Sequence, residues 1–430
     1  MRNLTNFLKD EKMNLQIVPN APRNKYRETT KKFADKALPS FLREKVKFYS
    51  SSVSTGIKNG RPLVLGKTPT SQSLVLQSND YLSISKNPKI IQAQINNLKD
   101  TNQDAVMSAV FLHEDSAQTH FEARMSEFTG YDKAILSQSG WAANVGLMQV
   151  IADKNTNVYV DFYAHMSLWE GIKSTGAKAL PFRHNSVNSL EKLIKKNGHG
   201  IIIVDSVYST TGDICPLKEI AELATRHGCV LVVDESHSLG THGPKGSGLV
   251  AELGLTEQVH FITASLAKTF AARAGIVLCA ESVANWFPYV SHPAIFSSAL
   301  LPYEIAGLNA TLDVIIESDD RRNKLHHKSK YLRNELHKRE IYVSSKSQIV
   351  SLEGGKEEIT EEIRDELEAR NIFGSVFCAP ATPKNRSLLR FSITSTVTKG
   401  QLDKILSACD NFGEALGIIH KPKLKAVGGY

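Results

Sequence analysis

Asp234-Glu235-Ser236-His237 follows the apolar run Cys229–Val233. Read alone, this acid with a histidine three residues on is either a capping aspartate beside a loop histidine or a pair of metal ligands. Thirty-four residues after Asp234, Lys268 stands in Ser265-Leu266-Ala267-Lys268-Thr269. Leu266, Ala267 and Phe270 surround it with apolar chain, which predicts an enclosed lysine. A desolvated lysine has a lowered pKa and forms Schiff bases. An acid at one strand end and such a lysine at another is the pair that pyridoxal phosphate requires. The carboxylate keeps the ring nitrogen protonated, so that the ring is an electron sink, and the lysine carries the aldehyde.

Two further stretches fit that chemistry. Ser137-Gln138-Ser139-Gly140-Trp141-Ala142-Ala143-Asn144 puts small residues directly before a helical run, Asn144–Ile151. Free N–H groups at a helix start cradle a phosphate, although the same pattern serves as an ordinary cap. Asp161-Phe162-Tyr163-Ala164-His165 places a histidine where it is either structural or stacked on a planar ring.

These residues need elements to position them. Gly200–Val204 and Cys229–Val233 are continuous β-branched and apolar runs, each followed by an aspartate, and Val259–Ile262 is a third. Pro216–His227 between the first two has helical spacing at Leu217, Ile220, Ala221 and Ala224. Such runs joined by helices predict an α/β fold with a mostly parallel sheet covered on both faces. Polar residues just past the carboxyl ends of the strands are then the ligand-binding positions. After Pro302 the pattern predicts a smaller α+β unit. It has a long helix at Tyr303–Arg339, strands at Ile341–Ser345, Gln348–Leu352, Ser375–Phe377 and Leu388–Thr394, and helices at Ile359–Arg370 and Lys399–Phe412. The expected division is a basic leader at residues 1–36, an N-terminal segment at 37–82, a large domain at 83–302 and a small domain at 303–430. The serine-rich Tyr49–Thr55 and Gly56–Gly60 read as turn and loop.

The formal net charge is +8, of which +5 falls in residues 1–36. The leader motivates a nucleic-acid-binding reading, but the body shows no aromatic-plus-basic platform to support it. The five cysteines are widely spaced with no C-x-x-C pair, which predicts reduced thiols in the cytoplasm rather than a disulfide framework or zinc ribbon. The uncharged stretch Ala134–Ala152 is too polar for a membrane span.

In order, Ser78-Asn79-Asp80-Tyr81-Leu82, Ser139–Asn144, His165 in His-Met-Ser-Leu-Trp-Glu, Val207–Asp213, Asp234–His237, Lys268, Phe296-Ser297-Ser298 and Leu389-Arg390-Phe391 resemble the α-oxoamine synthases. These are pyridoxal-phosphate enzymes of fold type I, the aspartate-aminotransferase fold, and the likeness runs from about Leu38 to about Gly417. The phrases Leu136–Gly146, His165–Gly171, Asp234–Pro244, Ala264–Phe270 and Phe373–Phe377 are most similar to the subgroup that makes α-hydroxyketone quorum-sensing signals. Ala267 and Thr269 depart from the glycines usual around the family's lysine. Met107-Ser108-Ala109-Val110-Phe111 departs from its Gly-rich stretch.

The resemblance implies a role for each residue. Lys268 binds pyridoxal phosphate and moves protons at the substrate α-carbon, Asp234 pairs with the pyridinium nitrogen, and His165 stacks on the ring. His237 and Ser209 bond the ring hydroxyl. The backbone at Gly140, Trp141 and Ala142, with the Ser265 hydroxyl, holds the phosphate, and Ser298 reaches it from the partner of a homodimer. Arg390 clamps the substrate carboxylate, assisted by Asn79. The implied reaction condenses a medium- to long-chain acyl-CoA with a small amino acid or S-adenosylmethionine and loses carbon dioxide. A biotin- or sphingoid-precursor synthase of the same family is the alternative. Val110, Phe111 and Leu112 are candidates for the acyl tunnel. No metal, nucleic-acid or membrane partner is expected.

Overall fold

A computed structural model describes residues 38–54, 57–58, 61–100, 107–410 and 412. The basic leader at residues 1–36 lies outside them. Two compact units divide at Pro62/Leu63. In the first, a helix runs over Ser40–Ser54, and the two-residue strands Ile57–Lys58 and Arg61–Pro62 pair antiparallel. The helix takes in most of the serine-rich stretch expected to be a turn. Serine inside a helix costs only a fraction of a kcal/mol, so a helix already begun at Ser40 continues through it.

The second unit is built on a seven-stranded sheet. Its strands are β1 (Lys133–Ser137), β2 (Asn157–Asp161), β3 (Lys178–Phe182), β4 (Ile201–Asp205), β5 (Val230–Asp234), β6 (Phe261–Ser265) and β7 (Gly275–Cys279), in the spatial order β1-β7-β6-β5-β4-β2-β3. Only β7 runs against its neighbours, so the sheet is mostly parallel, as the apolar runs predict. Every residue of β4 is buried, as a strand covered on both faces must be. Separate apolar clusters fill the two faces. Ile202, Val204, Leu231 and Val233 lie in one, and Ile201, Ile203, Val232 and Val277 in the other.

The parallel register brings strand ends to one edge. Asp205 is level with Asp234, Asp234 with Thr263, and both Ser265 and Ser137 with Gly275. Helix α1 (Gly140–Ile151) starts just past β1, and α2 (Met166–Thr175) just past β2. Ser139 and His165 are their respective N-caps.

Beyond Leu301, α3 (Pro302–Ile316) and α4 (Asp319–Lys338) replace the single helix expected at Tyr303–Arg339. At the break, the Ser318 hydroxyl bonds the Val314 carbonyl and Arg322 Nη1 the Ile315 carbonyl, so side chains satisfy the helix end. A second sheet has β10 (Ser387–Ser392) between β8 (Ile349–Gly355) and β9 (Ser375–Phe377). The strand expected at Ile341–Ser345 does not form. Ile341 and Val343 are buried as alternation predicts, but the backbone pairs with no strand, and the Ser345 hydroxyl turns to the Ile349 carbonyl. Leu74–Val75 pairs in parallel with Ile372–Phe373, which ties the start of this unit to its C-terminal part.

Candidate active site

A cavity of about 230 Å³ opens at the carboxyl edge of the large sheet. Asp234 lines it from the end of β5, and Gly140, His165 and Lys268 from the segments after β1, β2 and β6. Ser209, from the segment after β4, and Trp141, His237 and Ser265 also reach it, as do Asn79 and Arg390 from outside the large sheet. Ten of the twelve residues expected at the site therefore share one cavity.

Ala142 and Ser298 are not among them. The Ala142 N–H donates to the Ser139 hydroxyl as part of the helix cap, so it is not free for a phosphate. Ser298 is exposed and forms an isolated bridge with Ser108, and its carbonyl accepts from Gln138. Val110, Phe111 and Leu112 line neither this cavity nor the one next to it. Phe111 is exposed on a short 3-10 turn.

Two hydrogen-bond chains hold the cavity wall. In the first, Asn144 Nδ2 donates to Asp234 Oδ2 and to Ser167 Oγ, both at 2.8 Å. Ser167 Oγ stands 2.7 Å from His165 Nδ1, which also accepts from the Ser167 N–H. This engagement of Nδ1 leaves His165 Nε2 toward the cavity. Asp234 Oδ1 accepts from the Ser236 N–H. In the second chain, Arg390 Nη2 donates to Asn79 Oδ1 at 3.2 Å, the Tyr81 hydroxyl bonds the same oxygen, and it also lies 2.7 Å from His237 Nδ1. Asn144, Ser167 and Tyr81 fall inside the motifs quoted above. No spacing signal identified them as supports, because their partners come from distant segments.

Burial lowers the Lys268 pKa, and the Arg390 charge adds to the effect against the opposing pull of Asp234. Burial also takes His237 well below the usual imidazole value, helped by Lys268 and Arg390, so it is neutral. His165 is lowered mainly by desolvation. Asp205 is driven well above the carboxylate range by burial and by the neighbouring Asp234 charge. Arg390 sits on the central strand of the small sheet, 5% exposed. It donates through Nη1 to the Ser209 carbonyl at 2.6 Å and lies over the Phe377 ring.

These residues fit pyridoxal phosphate. A Cβ on Gly140 would fall 2.5 Å from Ser265 Cβ, so only glycine lets the α1 N-terminus approach the β6 end this closely. That approach makes an anion cradle of backbone N–H groups. Asp234 and Lys268 face the same space, and Arg390 Nε is buried without a hydrogen-bond partner. Fold and site together define a pyridoxal-phosphate enzyme of fold type I.

Comparison with known proteins agrees. The family model for aminotransferase class I and II matches residues 71–408. The chain is similar to the CAI-1 autoinducer synthase of Vibrio campbellii, 53% identical over 374 residues, covering 87% of this chain and 95% of that one. It is 28% identical over 351 residues to the 8-amino-7-oxononanoate synthase of Coprothermobacter proteolyticus, covering 80% of this chain and 89% of that protein. In fold it is similar to the solved serine palmitoyltransferase of Sphingomonas wittichii, with TM-score 0.77 and 23% identity over 89% of this chain and 99% of that one. The chain belongs to the class I and II aminotransferase family and, within it, to the α-oxoamine synthases.

Proposed function

We propose that the enzyme condenses an amino donor with a medium- to long-chain acyl-CoA, with decarboxylation, to make the α-aminoketone precursor of an α-hydroxyketone quorum-sensing signal. The donor is a small amino acid or S-adenosylmethionine. A bond forms between the donor α-carbon and the thioester carbonyl, the C–S bond breaks, and CoA leaves as its thiol. The donor carboxyl leaves as carbon dioxide. Bound pyridoxal phosphate supplies the electron sink for the carbanion. The opening of Lys268, Asp234 and Arg390 on one small cavity carries this reading, and the 53% identical relative supports the choice of product class.

Each side chain has a task. The N–H groups of Gly140 and Trp141, with the Ser265 hydroxyl, would hold the phosphate, and Asp234 would pair with the protonated ring nitrogen. His165 would stack on the ring, and His237 and Ser209 would bond its hydroxyl. Arg390, with a planar fork suited to a carboxylate, holds the donor, steadied by Asn79. Lys268, with its lowered pKa, moves the proton at the α-carbon.

A second cavity of about 520 Å³ shares His165, Ser209 and Phe377 with the first, and Phe162, Met166, Trp169 and Leu388 give it an apolar wall. It suits the acyl chain, and its shared wall brings the thioester beside the donor. Ser298 is assigned to the phosphate of a second copy's site in a homodimer, and its exposure in its own chain is compatible with that assignment. No helix among the described residues is long and apolar enough to cross a membrane. Acyl-CoA as substrate points to the cytoplasm as the place of action.

The test is a matrix of acyl-CoAs and amino donors offered to the cofactor-loaded enzyme, with products read by mass. Aminoketones from medium or long acyl chains support the proposal. Fast turnover of pimeloyl-CoA with alanine overturns it in favour of an oxononanoate synthase.

A further inference from the structure

His184 lines neither cavity, yet its ring joins two segments that carry site residues. Nδ1 is 2.9 Å from Asp161 Oδ1, and Nε2 is 3.3 Å from Asp213 Oδ2. Asp161 ends β2 four residues before His165. It is fully buried, and it also accepts from the N–H groups of Tyr163 and Asn185. Asp213 closes the loop that carries Ser209. There the Tyr208 N–H bonds the Asp213 carbonyl, the Gly212 N–H bonds the Tyr208 carbonyl, and Val207 bridges Ile214. A carboxylate oxygen faces each nitrogen, and only the imidazolium donates from both at once.

The loop from Val207 to Ile214 is also the strap between the two sheets. Its carbonyls at Ser209, Thr210 and Gly212 accept from Arg390 Nη1, Ser351 Oγ and Ser347 Oγ at 2.6, 2.5 and 2.8 Å. Gly212 has φ +74°, and a Cβ there would lie 2.2 Å from the Ile349 carbonyl oxygen. The loop thus holds one arm of the Arg390 fork, and Asn79 holds the other.

We infer that His184 is a positioning residue for the reaction: its cationic ring braces the Ser209 loop against the end of β2, and loss of its proton lets Arg390 slip from its register on the donor carboxylate. The inference rests on the reading of Arg390 as the donor clamp.

The surroundings support a charged ring. Burial opposes the charge, but the hydrogen bonds and charges of Asp161 and Asp213 outweigh it and push His184 up to about 9. Burial would raise Asp213, yet bonds from His184, Thr211 and Ser344 bring it below the usual carboxylate value. The ring packs on Tyr163 and edge-on against Tyr208, with centroids 4.6 and 4.3 Å away. Burial raises both phenols, so they stay neutral. Arg386 and Glu353 act on the Tyr163 phenol, and Cys215, Asp161 and Asp205 on the Tyr208 phenol, while the charges that act on His184 itself are Asp161 and Asp213.

The experiment pairs two readouts on the cofactor-loaded enzyme. Histidine-labelled protein is titrated by NMR, with His184 assigned by His184→Gln. The kcat/KM for the amino donor is measured against pH for wild type, Asp213→Asn and His184→Gln. His184 titrates near 9 in the wild type, and in Asp213→Asn both its midpoint and the alkaline limb of the rate profile move about one pH unit or more lower. His184→Gln raises the donor KM on the order of 10-fold or more and lowers cofactor affinity by a smaller factor, because Ser209 is only one of several cofactor contacts on this loop and elsewhere. A wild-type midpoint near 6.5 overturns the inference. So does an alkaline limb that stays fixed while the His184 midpoint falls, because the histidine is then structural only. If His184→Gln does not fold, Asp213→Asn carries both readouts. If the wild type binds no donor, the proposed function fails, and a midpoint near 9 that falls in Asp213→Asn still supports the charged brace.

Discussion

Asn144 Nδ2 donates to Asp234 Oδ2 at 2.8 Å inside the large sheet's carboxyl edge, and both residues are buried. The amide fixes the plane of the carboxylate. The same nitrogen reaches Ser167, so Asp234 and His165, the groups proposed for the nitrogen and the face of the cofactor ring, share a support.

Removing that support loosens the cofactor. Hydrogen bonds to charged groups are worth about 1.5–3 kcal/mol. Asn144→Ala therefore weakens pyridoxal phosphate binding roughly 10- to 150-fold, as read by equilibrium dialysis. Ser167→Ala acts in the same direction but less, because it leaves the Asn144–Asp234 bond in place.

Arg390→Lys keeps a positive charge and loses the planar fork. The donor KM rises roughly 10-fold or more while cofactor content stays at the wild-type level. Equal loss of donor and cofactor binding would show that Arg390 supports the fold rather than the donor.

Lys268→Ala removes the nitrogen proposed to form the Schiff base. The visible absorbance of the holoenzyme disappears, and turnover falls below detection in a coupled assay of CoA release. Retention of either would place the cofactor elsewhere.

Glu122 gives a pH-dependent stability term away from the site. Its Oε1 accepts from the Leu136 N–H and from Gln118, but burial dominates and raises its pKa to about 7. The native state thus holds this proton over a range where the unfolded chain has lost it. The contribution is complete below the unfolded value near 4.5 and is lost as pH rises through about 7. Glu122→Gln flattens the fall in Tm between pH 4.5 and 7.5, measured by scanning calorimetry. An unchanged slope would show that Glu122 is ionised throughout.

The chemistry was more legible than its scaffolding. Asp234 and Lys268 stand at the ends of apolar runs, and a buried parallel strand leaves such a run whatever packs around it. Asn144, Ser167 and His184 contact partners 90, 23 and 29 residues away, and no local period records such pairings. Ile341–Ser345 alternates like a strand because its side chains do enter the core, but pairing depends on a neighbour that local pattern does not supply. The break between α3 and α4 rests on hydroxyl and guanidinium bonds to helix carbonyls, which leave the apolar spacing on either side intact.

The reaction proposed for this enzyme is a decarboxylative carbon–carbon bond formation at a site lined by Lys268, Asp234 and Arg390. The most direct measurement supplies the holoenzyme with an acyl-CoA and an amino donor labelled in its carboxyl carbon, then follows label, thiol and product mass together. The account predicts one labelled carbon dioxide and one free CoA for each unlabelled aminoketone. Free CoA without a carbon–carbon adduct, or an adduct that keeps the labelled carboxyl, would contradict it.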